Sequence, residues 1–189
     1  FINLAMLFII LPRASVSGDR IADVLETPIT IQDPVHPVQF NQPVRGELTF
    51  DDVDFHYPDA EEDLLHDISF TAQPGRTTSI IGSTGSGKST LVNLVPRFFE
   101  VSKGKILIDG IDIRDVTLHD LRDQIGYVPQ RGVLFSGTIE SNMKLAKPDA
   151  TPEEIMDALD TAQAIDFVMA NPDGLQAEVA QGGTNFSGG

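Results

Sequence analysis

Gly82-Ser83-Thr84-Gly85-Ser86-Gly87-Lys88-Ser89 fits the pattern G-x-x-x-x-G-K-[ST]. A loop of this kind turns successive backbone N–H groups inward, where they meet phosphate oxygens. Glycine permits the backbone angles and the close approach. Lys88 reaches the β- and γ-phosphates and the Ser89 hydroxyl ligates Mg²⁺. The helix that follows, from Thr90 onward, aims the positive end of its dipole at the same anion. A chain of this composition yields on the order of 0.004 such matches by chance. The flanks agree. Thr77 to Ile81 is β-branched and apolar, the mark of a buried strand, and Lys88 to Val95 reads as a helix. The stretch implies an α/β fold built around a nucleoside triphosphate.

Charge sharpens this. The chain has 189 residues, no cysteine, no tryptophan and a formal net charge of −15. Its length is that of one domain, and its 41% hydrophobic content argues against disorder. Without cysteine there is no disulfide framework and no thiolate metal site. A balance this acidic excludes general nucleic-acid binding, which needs a basic surface. It does not exclude an anionic small molecule, which needs only local positive potential. From Ile68 to Phe99 there is no Asp or Glu, whereas Arg76, Lys88 and Arg97 lie inside. An even spread of acids would put about five there. The phosphate loop sits within this window.

Outward from the loop, the chain divides by pattern. Residues 1–11, FINLAMLFIIL, are apolar except Asn3. Eleven residues are too few to cross a bilayer, which needs ~20. The run reads as a buried core helix or, better, as the end of a longer transmembrane helix, with Arg13 and Arg20 on its cytoplasmic side. Residues 14–26 read as its helical extension. Residues 27–45 hold Pro28, Pro34, Pro37 and Pro43 and read as a linker. From residue 46 strands begin. Glu47 to Phe55 alternates, with an irregularity at Asp51-Asp52, and Leu64 to Ala72 gives a second strand. Lys105 to Ile108 is a third, closed by Asp109-Gly110. Leu118 to Arg122 is a short helix and Ile125 to Val128 a strand. Thr151-Pro152-Glu153-Glu154 opens a helix with a capping box. The chain starts at Phe1 rather than Met and stops at Gly189, so it is expected to be a fragment.

The loop alone leaves several classes open. A GTPase should carry an Asn-Lys-x-Asp guanine reader, and none occurs. Asp123-Gln124-Ile125-Gly126 matches Asp-x-x-Gly, a common pattern. A small-molecule kinase stays open on the loop alone.

The surrounding residues decide. From about Leu11 to its last residue the chain resembles the nucleotide-binding domain of ATP-binding cassette (ABC) exporters, with the motifs in that family's order. Leu11-Pro12-Arg13-Ala14-Ser15 and Arg20-Ile21 look like the end of the last transmembrane helix. Tyr57, after Val53-Asp54-Phe55, falls where the family stacks an aromatic ring on adenine. Tyr127-Val128-Pro129-Gln130 looks like the Q-loop, whose Gln130 would contact Mg²⁺ or the attacking water and sense the transmembrane domain. Val133-Leu134-Phe135-Ser136-Gly137-Thr138-Ile139 and Asn142 match the segment after it. Asn185-Phe186-Ser187-Gly188-Gly189 looks like the start of the signature motif, with Phe186 in place of the usual Leu. Ser187, Gly188 and Gly189 would bind the γ-phosphate of ATP held by a second such domain.

The resemblance implies a P-loop fold of ABC ATPase type, truncated. Its parts are a parallel core sheet, an N-terminal antiparallel β-subdomain and a helical subdomain. It implies ATP and Mg²⁺ as ligands. The implied partners are a second nucleotide-binding domain, in a homodimer or a heterodimer, and the protein's own transmembrane domain in the cell membrane. In this family the Walker B carboxylates and the switch histidine follow the signature. Here His36, His56, His66 and His119 all precede it. Ile106-Leu107-Ile108-Asp109 imitates Walker B but precedes the signature too, and Asp109 reads as a strand end before a turn. These 189 residues are therefore expected to grasp nucleotide without hydrolysing it. The alternative reading is a soluble, non-transporting P-loop or ABC ATPase, or a regulatory subunit that binds ATP without turnover.

Overall fold

The computed structural model describes the backbone of residues 2–58, 60–130 and 132–186, and side chains from residue 10 onward. It divides into two compact units, Phe1–Gly126 and Tyr127–Gly189.

In the first unit, α1 (Ile2–Glu26) is one continuous helix with Pro12 inside it. It stops where Pro28 disfavours helical geometry at Thr27, and the Thr27 hydroxyl donates to the Asp23 carbonyl at 2.6 Å. Ile10, Leu11, Ile21, Val24 and Leu25 on this helix are exposed. Among the described residues no helix is long and apolar enough to cross a membrane.

Four strands form one sheet: β1 (Leu48–Phe55), β2 (Leu65–Ala72), β3 (Lys103–Ile108) and β4 (Ile111–Asp112), in the order β2-β1-β3-β4. Alternation along β1 buries Phe50 and, beyond an irregularity, Val53 and Phe55. The expected irregularity is a bulge, with the pairing to β2 shifting between Phe50 and Val53 and Asp52 at φ 53°. Gly104 on β3 crosses this bulge at φ +76°, and a Cβ there would stand 2.2 Å from the Asp52 carbonyl oxygen. Only glycine fits.

Asp109-Gly110 joins β3 to β4 with φ values of 51° and 81°, as a two-residue type I′ hairpin requires. The Asp109 carboxylate accepts the backbone N–H of Arg45 at 2.6 Å and of Glu47 at 2.9 Å. Burial pushes its pKa up. The backbone N–H groups of Glu47, Arg45 and Gly46 and the Arg45 charge outweigh that and hold it below the ordinary 3.8. Asp109 is thus a strand-end residue that ties the start of β1 to the hairpin, as its sequence context implied.

Against the sheet packs α2 (Lys88–Leu94), which buries Leu91 and Leu94 among Phe50, Val53, Leu65 and Ile106. Leu121 of α3 (Leu118–Asp123) joins the same core. Residues 27–46 are irregular but docked. The Gln32 carbonyl accepts from Arg97 Nη2 at 3.3 Å, and Asp33 Oδ1 accepts the Leu118 N–H at 2.7 Å. The Val38 N–H donates to the Asp115 carbonyl at 2.7 Å, and Phe40 is buried in the core.

One expectation is corrected. Thr77–Ile81 and Ile125–Val128 form no strand, and every ladder among the described residues is antiparallel, so the parallel core sheet is not formed there. Ile81 and Val128 are each 92% exposed. Their composition suits a buried strand, but a strand exists only through a hydrogen-bonded neighbour. Among the described residues neither segment is paired in a ladder.

The second unit is mainly helical. It comprises α4 (Ile139–Met143), α5 (Pro152–Thr161) and α6 (Ile165–Met169), with a two-residue ladder between β5 (Gly137–Thr138) and β6 (Glu178–Val179). Ile155, Leu159 and Val168 form its core. The capping box of α5 is present: the Thr151 hydroxyl accepts the Glu154 N–H and Glu154 Oε2 accepts the Thr151 N–H.

Two outcomes test this account. Gly104→Ala combines left-handed strain with a backbone clash and should cost about 2–4 kcal/mol, read as a lower melting temperature. An unchanged melting temperature contradicts the crossing. Because the Asp109 pKa is depressed on folding, its contribution is complete above 3.8 and is lost as pH falls through its lower folded value. An acid titration of stability should therefore be shallower in Asp109→Asn than in the parent; superimposable acid limbs contradict the Asp109 tie.

Candidate functional site

The loop Gly82–Ser89 joins an extended segment to α2. Its glycines at 85 and 87 have φ of +82° and +84°. At Gly87 the left-handed backbone is the N-cap of α2, and a Cβ there would press within 2.8 Å of Leu65 Cδ2. Glycine therefore seats the loop directly against the sheet. Residues 82–86 are exposed, and within the loop the Ser86 N–H donates to the Ser83 carbonyl at 3.3 Å. Gly85 to Thr90, with Leu64, line a concavity of about 240 Å³.

The Lys88 ammonium folds back over the loop, donating to the carbonyls of Gly82 at 2.9 Å and Ser83 at 2.6 Å. A cation held by two neutral carbonyls is available to an anion, because charge-assisted bonds to phosphate are about twice as strong as neutral ones. Of the three cations in the acid-free window, Lys88 alone lines the concavity. Arg97 is buried and turned away, with its Nε on Glu100 Oε1 at 2.7 Å and its Nη2 bonded to the same carboxylate oxygen.

The Ser89 hydroxyl is exposed beside Lys88. Among the described residues no group of three or more His, Asp or Glu converges to hold a metal. Mg²⁺ dehydrates reluctantly and is commonly held by one or two protein oxygens together with substrate phosphates. A single hydroxyl next to a phosphate cradle fits such an ion.

Tyr57 lies beside this loop. Its ring meets Phe55 and Phe99 edge-on, at 5.0 and 5.2 Å between centroids. Its hydroxyl shares a 2.9 Å hydrogen bond with that of Thr90. The ring is 36% exposed and Thr90 is 6% exposed. The first unit thus brings Tyr57, Gly82, Ser83, Thr84, Gly85, Ser86, Gly87, Lys88, Ser89 and Thr90 into one region.

Gln130 belongs to the second unit and is exposed. Ser187, Gly188 and Gly189 lie outside the described residues. Two asparagines hold the turns of this unit. Asn142 Nδ2 donates to the Phe135 and Thr138 carbonyls while its Oδ1 accepts the Phe135 N–H. Asn185 likewise bridges Glu178 and Ala180. No local pattern marks either role, because each asparagine acts on backbone four to seven residues away.

Three comparisons bear on this arrangement. The family described as ABC transporter matches residues 65–189. An uncharacterised ABC transporter ATP-binding protein of Mycobacterium tuberculosis is 48% identical over 187 residues, 97% of this chain and 32% of that protein. A putative multidrug export ATP-binding/permease protein of Bacillus subtilis is 41% identical over 179 residues, 95% of this chain and 31% of the relative. The solved structure of a bacterial Atm1-family ABC exporter with ATP bound superposes with a TM-score of 0.84 at 34% identity, covering 98% of this chain and 32% of that one. The chain spans about a third of the length of the curated relatives it matches.

Proposed function

The chain belongs to the ABC transporter family, and from that premise we propose that it is the nucleotide-grasping part of an ABC exporter's ATPase. In this reading residues 1–26 extend from a transmembrane helix, residues 27–45 connect, and residues 46–189 are part of the nucleotide-binding domain. The intact protein is a multi-pass membrane exporter with its ATPase domain in the cytoplasm. Likeness to the Bacillus subtilis multidrug export ATP-binding/permease relative supports an export role.

The observation that carries the proposal is the Lys88 ammonium resting on the Gly82 and Ser83 carbonyls above an open glycine loop. ATP entering the loop offers Lys88 charged acceptors in place of neutral ones. The Gly82 to Gly87 amides then cradle the phosphates, with Ser83, Thr84, Ser86 and the Thr90 turn completing the wall. Ser89 would hold Mg²⁺ in part, and the ion would supply charge neutralisation for phosphoryl transfer. The exposed face of Tyr57 stacks on adenine, a contact that holds a base without reading its edge. By the Q-loop resemblance, Gln130 would help to place Mg²⁺ and water. Ser187, Gly188 and Gly189 meet the γ-phosphate bound by a second nucleotide-binding domain.

Hydrolysis needs a group to polarise water. Asp109, at the end of the one run that imitates Walker B, is engaged with backbone N–H groups and tied to the hairpin. These 189 residues alone therefore bind nucleotide and do not turn it over.

In the full-length protein, Lys88→Ala should weaken ATP binding by about ten- to a hundredfold, the worth of charge-assisted bonds. Calorimetry or a fluorescent ATP analogue reads this. Unchanged affinity contradicts the proposal.

A further inference from the structure

The Tyr57 hydroxyl is engaged within the protein. It is bonded to Thr90 Oγ1 at 2.9 Å, and Thr90 is 6% exposed. A hydroxyl on the first turn of a helix commonly bonds back to its own backbone; this one is bonded to a ring 33 residues earlier. It is shielded from water, so losing Tyr57 would leave a buried polar group unpaired. Phe55 and Phe99 hold the ring body edge-on at 81° and 88°. Two apolar edge contacts do not fix how far the ring leans toward α2. The hydrogen bond does.

Thr90 stands two residues beyond Lys88 on the same helix. The ring and the phosphate cradle are therefore joined by one hydrogen bond and less than one helical turn. In a nucleoside triphosphate, base and phosphates are joined by a ribose of fixed size. A site that grips both ends gains from holding them at a set spacing before the ligand arrives, because ordering costs are then avoided on binding.

We infer that Thr90 is a positioning residue that sets the spacing between the base-stacking ring of Tyr57 and the phosphate loop, through the Tyr57–Thr90 hydroxyl pair. This rests on the proposal that Tyr57 stacks on adenine. Thr90 thus serves the base end of the ligand although it sits in the phosphate-binding helix.

Inorganic tripolyphosphate separates the two ends. Affinities for Mg-ATP and for tripolyphosphate are measured on the full-length protein and on Thr90→Val, Thr90→Ser, Tyr57→Phe, Tyr57→Ala and the Thr90→Val/Tyr57→Phe double variant. Thr90→Val should weaken ATP binding about three- to tenfold more than it weakens tripolyphosphate binding, the worth of one hydrogen bond, and retained tripolyphosphate binding also reports an intact loop. Thr90→Ser should restore ATP affinity. Tyr57→Phe should match Thr90→Val, and the double variant should be no worse than either. Equal loss of ATP and tripolyphosphate affinity in Thr90→Val would mean that Thr90 acts on the phosphates directly, overturning the inference. If Tyr57→Ala weakens ATP binding while Tyr57→Phe and Thr90→Val do not, stacking stands and only the hydroxyl pair fails. If Tyr57→Ala binds ATP as tightly as the parent, the stacking proposal falls and this inference falls with it.

Discussion

An anion-binding loop must keep most of its backbone donors for the anion, so few hydrogen bonds of its own, here the Ser86 N–H to the Ser83 carbonyl, hold it in shape. The rest of its shape has to come from what it is attached to. Here the attachment is α2, whose Leu91 and Leu94 are buried against the antiparallel sheet, each worth about 1.5–3 kcal/mol as a buried side chain. Gly87 then seats the loop on Leu65 where any side chain would collide. Everything else at the site follows from that anchorage. Lys88 begins the anchored helix and so reaches back across the loop. Thr90 is on its first turn and so meets Tyr57. The strand β1 that ends at Phe55 delivers Tyr57 to the same place.

The parts of this arrangement that depend on local chemistry were legible in the sequence. The glycine spacing predicts the loop, the alternation of Leu48, Phe50, Val53 and Phe55 predicts β1, and Asp51-Asp52 predicts its bulge. Thr151 and Glu154 predict the start of α5. What depends on distant partners was not legible. Thr77–Ile81 has the composition of a buried strand, yet no described strand pairs with it, and composition cannot supply a neighbour. The prolines of residues 27–45 announce irregular chain but not its docking, because Arg97, Leu118 and Asp115, which hold it, are more than sixty residues away. The hydroxyl pair of Tyr57 and Thr90 was hidden for the same reason. Each residue was singled out for a nucleotide role, but nothing in either neighbourhood points to the other. The family motifs at Gln130 and Ser187–Gly189 were recognised by resemblance.

Charge now has a local meaning. The net −15 lies on the surface, while the acid-free window from Ile68 to Phe99 contains the loop, α2 and the ring of Phe99 against which Tyr57 rests. Within that window one cation, Lys88, serves the concavity, and a second, Arg97, serves the fold through Glu100 and Gln32. The low acid content thus does two jobs. It keeps carboxylates away from a phosphate site, and it leaves a compact core for α2 to grip.

The measurement that bears most directly on the central claim is a structure of the full-length protein with ATP and Mg²⁺. The triphosphate should lie in the loop Gly82–Ser89, with Lys88 Nζ moved from the Gly82 and Ser83 carbonyls onto β- and γ-phosphate oxygens. Nucleotide bound elsewhere, with Lys88 still on those carbonyls, would contradict it.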